Sequence, residues 1–105
     1  MNYWYVYVMT NKPNGVLYIG VTDNIEERVK EHKLKVRPKS FTARYNCDKL
    51  IYFEEFEKGD KAVKRERQFK KWKRTWKIEL IDDMNPSWSD LSDNWNLNFN
   101  TLRKQ

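Results

Sequence analysis

Cysteine, glycine and long apolar runs are scarce in this sequence, and each shortage excludes a class of protein. One cysteine, Cys47, cannot form an internal disulfide, and no cluster of Cys and His residues indicates a zinc site. The three glycines build no phosphate-binding loop, and no serine or cysteine has a base at a recognisable spacing. There is no apolar stretch long enough to cross a bilayer and no signal peptide, so we expect a cytoplasmic protein without a membrane partner.

Aromatic and basic residues, in contrast, are abundant. Aromatic residues make up 15% of the 105 positions, which lets one small domain build a core with few leucines. Lysine and arginine outnumber the acidic residues and give a formal net charge of +6. This balance favours an anionic partner such as nucleic acid.

Two strands joined by a tight turn are predicted at the start of the chain. Residues 3–9 are aromatic and β-branched throughout, which is typical of a strand covered on both faces. An Asn-Gly turn then leads into the return strand. A four-residue loop would pair Thr10 with Gly15, and that register sets Tyr7 directly opposite Tyr18.

The first helix carries polar residues where a core stripe is expected. Asp23 or Asn24 is suited to cap this helix, because its short side chain accepts from free backbone N–H groups. Either Arg28 extends to solvent and His32 is a partly buried histidine of a packing face, or both side chains are aimed along the same side at the rim of the sheet. Helical spacing gives an inward stripe of Ile25, Arg28, Val29 and His32.

A basic loop and a third strand are predicted next. Residues 33–43 show no sustained period and are predicted to be a loop. Lys39 in this loop and Arg44 after it either meet phosphates or belong to a solvated linker. Residues 49–56 then form the third strand.

A long helix is predicted from Asp60, continuing through residues 78–81 and ending before Pro86. Glu66 falls inside its apolar stripe, where a carboxylate is costly unless it is paired or holds a metal. The alternatives are therefore a metal ligand and a salt bridge, either to Arg28 or to a neighbouring lysine.

Eight basic residues lie between positions 64 and 77 on this helix. A run of charge is often only a solvated face, but eight cations with a single acid among them repel one another. A polyanion explains them better than solubility alone. The candidates for nucleic-acid contact on this helix are Lys64, Arg65, Lys70, Lys71, Lys73 and Arg74.

Tyr7, Tyr18, Arg28, His32 and Glu66 have a coherent joint use. A lone carboxylate can hold one Mg²⁺ or Mn²⁺ ion with water in most of the shell, and the metal would polarise a phosphate oxygen. Arg28 would clamp the phosphate with its planar fork. His32 or a tyrosine would take a proton from the attacking water.

In this order and spacing, the residues resemble the GIY-YIG nuclease superfamily over positions 3–86. The likeness is greatest to small stand-alone bacterial members related to the amino-terminal domain of the excinuclease C subunit. The first motif departs from the pattern, because Tyr5 stands where the family name has glycine. The matching motifs are Tyr5-Val6-Tyr7, Tyr18-Ile19-Gly20, Arg28, His32 and Glu66.

The resemblance implies an α+β fold, with a small central three-stranded antiparallel sheet flanked by helices, and metal-dependent phosphodiester hydrolysis. Residues 87–105 would be a C-terminal extension that packs on the 3–86 domain or frays from it. Either Tyr7 or Tyr18 would be the base. The other implied roles are phosphate binding by Arg28, assistance to the base by His32, metal binding by Glu66, and a catalytic place for Asn85.

Two functions are weighed at this point, with a plain interaction protein as a third that leaves the five polar residues unexplained. The first is a DNA endonuclease that recognises a structural feature, has weak specificity, or takes its specificity from a protein partner. The second is a nucleic-acid-binding module that keeps the fold but does not cut. Glu66 distinguishes the two functions. A carboxylate beside a phosphate site would weaken the binding of nucleic acid, so a protein that only binds has no need of it.

Overall fold

The computed structural model describes residues 2–95, which form a three-stranded antiparallel sheet flanked by helices. This confirms the predicted α+β class. The strand order is β2-β1-β3, so the first strand is central. The elements, in chain order, are β1 (Trp4–Thr10), β2 (Leu17–Thr22), α1 (Ile25–Leu34), α2 (Phe41–Arg44), β3 (Lys49–Phe56), α3 (Gly59–Lys71) and α4 (Arg74–Met84).

The hairpin between β1 and β2 has a longer loop than the sequence predicted. Thr10 pairs with Leu17, and Tyr7 pairs with Gly20, so the predicted register was wrong by two residues. The Asn11 side chain accepts from the Val16 backbone N–H and holds the wider loop closed. A shift of two keeps the alternation of faces, so Tyr7 and Tyr18 remain on the same side of the sheet.

The two faces of β1 belong to different halves of the core. Val6 and Val8 face the side covered by α3 and α4. Tyr7 and Met9 face the side covered by α1. This division follows the alternation in the sequence, and it places the face bearing Tyr7 beneath α1.

An irregularity in β3 gives Asn85 a structural role. Val8 pairs with Tyr52 while Met9 pairs with Leu50, so Ile51 is an extra residue in the ladder. The Ile51 carbonyl accepts a hydrogen bond of 3.0 Å from the side-chain amide of Asn85. A backbone carbonyl displaced from the ladder needs such a partner when it is buried.

The predicted long helix is two helices. The backbone is extended at Trp72 and Lys73, with ψ angles of 152° and 147°, and α4 begins afterwards. The break redirects the chain so that Ile81 enters the core while Trp76 remains exposed. No glycine or proline marks the break, so packing and not local composition decides it. The first helix of the pair begins one residue ahead of the predicted cap Asp60, after Lys58.

The predicted loop at 33–43 contains regular structure at both ends. The first helix continues to Leu34 and ends with Lys35 in the left-handed conformation, at φ 52°. Ser40 then caps the short helix α2 by accepting from the backbone N–H of Ala43. Asn24, one of the two predicted caps, accepts from the Glu27 N–H at the start of α1.

Residues 87–95 cover the free edge of β3. The Leu91 N–H donates to the Leu50 carbonyl at 2.7 Å, and the Asp90 carboxylate accepts from the Leu50 N–H at 3.2 Å. Trp88 is buried in the core, and the Trp95 ring packs against Phe53. Trp88, Leu91 and Trp95 are spaced as on a helix, but residues 87–95 form turns and irregular structure. Capping an edge in this way removes an exposed template for strand pairing.

The part of the predicted C-terminal extension from residue 96 to residue 105 lies outside the described residues. Among the helices of residues 2–95, none has both the length and the apolar character needed to cross a membrane.

Candidate active site

Four of the predicted site residues meet between the sheet and α1. Tyr7 comes from β1, Tyr18 from β2, and Arg28 and His32 from α1. Two buried apolar side chains on successive turns of α1 pack against the sheet and hold the helix there. The other two members of the stripe, Arg28 and His32, therefore lie on the same side as the phenols. We name this group the tyrosine–histidine cluster.

A chain of hydrogen bonds runs through the cluster. The Tyr7 hydroxyl lies 2.9 Å from Nε2 of His32, and Nδ1 of His32 lies 2.9 Å from Oγ1 of Thr42. Oγ1 of Thr42 lies a further 3.2 Å from Oγ of Ser40. Sequence reasoning missed Thr42 and Ser40 as partners of His32. A Ser-x-Thr pair ahead of a helical turn was the available signal, since Ser is a favoured N-cap.

The protonation of the chain follows from burial. Burial, followed by the nearby Arg28 guanidinium, lowers the pKa of His32 to about 4, so the imidazole is neutral at pH 7. Burial raises the pKa of Tyr7, whose phenol is 0% exposed and keeps its proton. A neutral imidazole carries one ring N–H, so His32 donates in one of its contacts with Tyr7 and Thr42 and accepts in the other.

Because the folded protein keeps His32 neutral, stability is expected to fall as the pH is lowered from 7 towards 4. In that range the unfolded chain binds a proton at an ordinary histidine pKa of 6.5 and the folded chain does not. The loss is about 2 kcal/mol once screening at a part-exposed ring is allowed for. Denaturant unfolding at several pH values measures it. His32→Gln should flatten the profile between pH 4 and 6.5, and an unchanged profile in that variant would assign the dependence to the carboxylates.

Gly20 makes room for the Tyr7 ring. A Cβ atom at this position would lie 2.6 Å from both Cζ and the hydroxyl oxygen of Tyr7, well inside van der Waals contact. The glycine of the Tyr18-Ile19-Gly20 motif therefore keeps open the space in which Tyr7 reaches His32. Its role here is a close approach and not a backbone angle.

A cleft of about 370 Å³ opens over the cluster. Tyr18, Arg28 and His32 line it, together with Arg37 and Phe41 from the segment after α1. Because the Tyr7 phenol is fully buried, the phenol that faces the cleft is that of Tyr18.

The cleft has a net positive charge. Oε1 of Glu31 lies 3.2 Å from Nε of Arg28 and 3.2 Å from Nη1 of Arg37. Two guanidinium groups thus share one carboxylate, which leaves an unbalanced cation. The Arg28 side chain is 37% exposed, so its remaining donors are accessible to an anion.

Glu66 lies outside the cluster. It is on α3, which covers the opposite face of the sheet, and its Oε2 pairs with Nζ of Lys70 at 3.0 Å. Within residues 2–95, no hydrogen bond or ion pair joins Glu66 to Arg28 or to the phenols. The predicted alternative of a lysine partner is therefore the pairing that the structure shows.

Asn85 was predicted to be catalytic, and in the structure its side chain makes contacts within the fold. Its Nδ2 donates to the carbonyls of Ile51 and Ser89, and its Oδ1 accepts from the backbone N–H and hydroxyl of Ser89. The side chain is buried at the end of α4, and its hydrogen-bonding groups are occupied in fixing the chain beyond that helix. The sequence order that suggested Asn85 could not reveal this use.

Two of the predicted nucleic-acid contacts have structural partners instead. Arg65 donates two hydrogen bonds of 2.8 Å to the carboxylate of Glu54, and its guanidinium lies 5.0 Å from the Trp72 ring centroid. Arg74 donates to the carbonyls of Asn14 and Gly15 and ties α4 to the hairpin loop. These contacts use the planar fork that a phosphate would need.

The remaining basic candidates fall into two groups. Lys64 and Lys71 line a shallow groove on α3, Lys70 pairs with Glu66, and the Lys73 ammonium lies over the Trp76 ring. The second group, Lys39 and Arg44, belongs to the segment that borders the cleft.

This arrangement of residues matches a known protein family. The model for the GIY-YIG catalytic domain matches residues 3–79, which include the tyrosine–histidine cluster and Glu66. The chain belongs to the GIY-YIG family. It is thereby placed in a nuclease superfamily that acts on nucleic acid and generally depends on a divalent metal.

Curated relatives extend over most of the same region. A UPF0213 protein of Clostridium perfringens (strain 13 / Type A) is 40% identical over 77 residues, which cover 73% of this chain and 81% of the relative. UPF0213 proteins of Syntrophus aciditrophicus (strain SB) and Staphylococcus haemolyticus (strain JCSC1435) are 35% and 33% identical. Their matches cover 76% and 75% of this chain, and 88% and 94% of the relatives. No solved structure gives a significant match to this GIY-YIG chain.

Proposed function

We propose that this protein is a metal-dependent endonuclease that hydrolyses phosphodiester bonds in DNA. The observation that carries the proposal is the hydrogen-bonded chain of Tyr7, His32 and Thr42 beneath a cleft lined by Tyr18 and Arg28. A buried polar chain that ends below a positively charged cleft is better suited to holding reacting groups than to packing a core.

Arg28 binds the scissile phosphate in this proposal. Its guanidinium offers several fixed donors to the phosphate oxygens and stabilises the charge that builds up on them during attack. Glu31 holds it in place, and Arg37 pairs with the same carboxylate oxygen. Because Glu31 orients the guanidinium beforehand, the side chain needs less reorganisation when the phosphate binds.

Tyr18 contacts the attacking water, because it is the phenol that faces the cleft. Tyr7 and His32 position it from below: the Tyr7 and Tyr18 ring centroids are 6.2 Å apart, and those of Tyr18 and His32 are 5.4 Å apart. A phosphate at Arg28 offsets the positive charge that helps to lower the His32 pKa. Bound substrate would therefore raise the pKa of His32 above its value in the free protein.

Glu66 is proposed as the metal ligand, and its surroundings fit that role. The carboxylate is 14% exposed and its partner is an exposed lysine one turn away, a pair worth only about 0.3–0.5 kcal/mol. A single carboxylate with water and a substrate phosphate is a usual set of ligands for Mg²⁺ or Mn²⁺. The metal would steady the leaving oxygen. The helix of Glu66 also packs against β2, the edge strand that carries Tyr18.

Target choice is proposed to depend on DNA structure or on a protein partner. The basic residues bordering the cleft and those on α3 supply contact with phosphates, which carries no sequence information. The proposed nuclease unit is residues 3–86, with residues 87–105 as an extension of the same domain. The site of action is proposed to be the cytoplasm.

The pairing of Glu66 with Lys70 favours one alternative, a nucleic-acid-binding module that does not cut. In that case the Lys70 pair would be the function of Glu66. Incubating labelled duplex, flap, junction and single-stranded DNA with the protein in Mg²⁺, in Mn²⁺ and in EDTA tests both. Metal-dependent products ending in defined phosphates support the nuclease. Binding without cleavage of any substrate in either metal would support the module.

Tyr18→Phe is expected to reduce single-turnover cleavage by about a hundredfold, because the phenol oxygen that holds the water is lost while the ring remains. Binding in EDTA and the melting temperature should change little. Tyr3→Phe makes the same change at the start of the sheet, outside the cleft, and should leave cleavage unaltered. Full activity in Tyr18→Phe would remove Tyr18 from the mechanism.

A further inference from the structure

A row of aromatic rings leads out of the cleft along α2. The Tyr18 and Phe41 ring centroids lie 6.0 Å apart, and those of Phe41 and Tyr45 lie 4.7 Å apart. Phe41 is 44% exposed and Tyr45 is 46% exposed. Exposed neighbouring aromatics that border a cleft mark a surface used for binding.

The charge around these rings is positive. From residue 33 to residue 47 the chain contains no Asp or Glu. The guanidinium of Arg44 lies 5.9 Å from the Tyr45 ring centroid. Within the part of the chain that the structure describes, Lys39 and Arg44 form no ion pair. Flat apolar rings beside free cations match a nucleotide, which joins a flat base to an anionic phosphate.

We propose that Phe41 and Tyr45 form a stacking platform for unpaired bases of the nucleic acid whose phosphate occupies the cleft. This rests on the proposed function, which places that phosphate at Arg28. Bases inside a duplex cover one another's faces, so only unpaired nucleotides can lie on the rings. The substrate class is accordingly nucleic acid with a single-stranded segment beside the scissile bond, such as a flap, a gap or a free end.

The geometry also defines the path of the nucleic-acid strand out of the cleft. Tyr18 is within the cleft, Phe41 is at its border, and Tyr45 follows on the outer surface. A nucleotide next to the bound phosphate would meet Phe41 first, and the following base would reach Tyr45. Arg44 then lies beside the backbone of the same segment.

The test is binding in EDTA, which is independent of catalysis. A single-stranded oligonucleotide carrying a fluorescent base analogue reports stacking by quenching, and a duplex of the same sequence serves as the reference. Phe41→Ala with Tyr45→Ala is expected to weaken single-strand binding about tenfold or more and to abolish quenching. Duplex binding should change less than about twofold, because its phosphate contacts are kept.

Matched variants separate stacking from other effects. Phe41→Tyr and Tyr45→Phe keep the rings and should preserve both affinity and quenching. Met84→Ala removes an equally exposed apolar side chain from α4 and should change neither. The melting temperature of each variant verifies that the fold is intact.

Equal losses on single strands and duplex, or unchanged quenching in the double variant, would overturn the platform. Cleavage on the same substrates is scored separately. Cleavage without selective single-strand loss refutes the platform alone, whereas quenching without any cleavage keeps the platform and refutes the nuclease. Absence of binding to any nucleic acid in EDTA or with metal refutes both.

Discussion

Arg28→Ala is expected to lower single-turnover cleavage by about a thousandfold, because removing one preorganised donor from a developing charge typically costs that much. The guanidinium lines the cleft and is held at 3.2 Å from Glu31, so it meets the phosphate already oriented. Stability should change by less than about 1 kcal/mol, because the pair is part exposed. Arg28→Lys keeps the charge but not the fork, and it should recover little of the rate.

Arg37→Ala is the comparison for this variant, because Arg37 pairs with the same Glu31 oxygen. Its side chain is mostly exposed at the rim, so the loss of cleavage should be far smaller. Equal losses in the two variants would mean that the cleft needs only positive charge. A loss below about tenfold in Arg28→Ala would leave the scissile phosphate without its proposed ligand.

Glu66→Gln is expected to reduce cleavage by about a thousandfold or more at saturating Mg²⁺, because the metal would lose its proposed carboxylate ligand. Binding to DNA in EDTA should hold or strengthen slightly, since a negative charge is removed. Because Glu66 pairs with the exposed Lys70 and not with Arg28, the variant should lose at most about 0.5 kcal/mol of stability.

Single-turnover rates, binding in EDTA and thermal melting are therefore measured on the same Glu66→Gln protein. Glu79→Gln makes the same change at an exposed position of α4 and should leave all three unchanged. Intact cleavage in Glu66→Gln would refute the metal role. A large drop in melting temperature would instead assign the carboxylate to the fold.

The hairpin shows how far sequence patterns reach in this chain. Period-two alternation in β1 determined which residues share a face, and it placed Tyr7 and Tyr18 on the same one. The loop length was misjudged, because the Asn11 side chain closes a wider loop than the Asn-Gly pair suggested. A slip of two residues changes partners without changing faces, so the site residues remained together despite the wrong register.

The identity of the cluster, a helix cap at Asp23 or Asn24 and the three strands followed from the sequence by itself, because polar residues in an apolar stripe and alternating patterns are local signals. The structure then selected Asn24 as the cap. Only the tertiary structure decided which side chains face the cleft and which are occupied by contacts within the fold. Burial of Tyr7 made Tyr18 the phenol of the cleft, and contacts with Tyr7 and Thr42 occupy both ring nitrogens of His32. Asn85 donates a hydrogen bond to the carbonyl freed at Ile51, and Arg65 donates to the carboxylate of Glu54. Each of these depends on a partner distant in the chain, and no local pattern encodes such a partner.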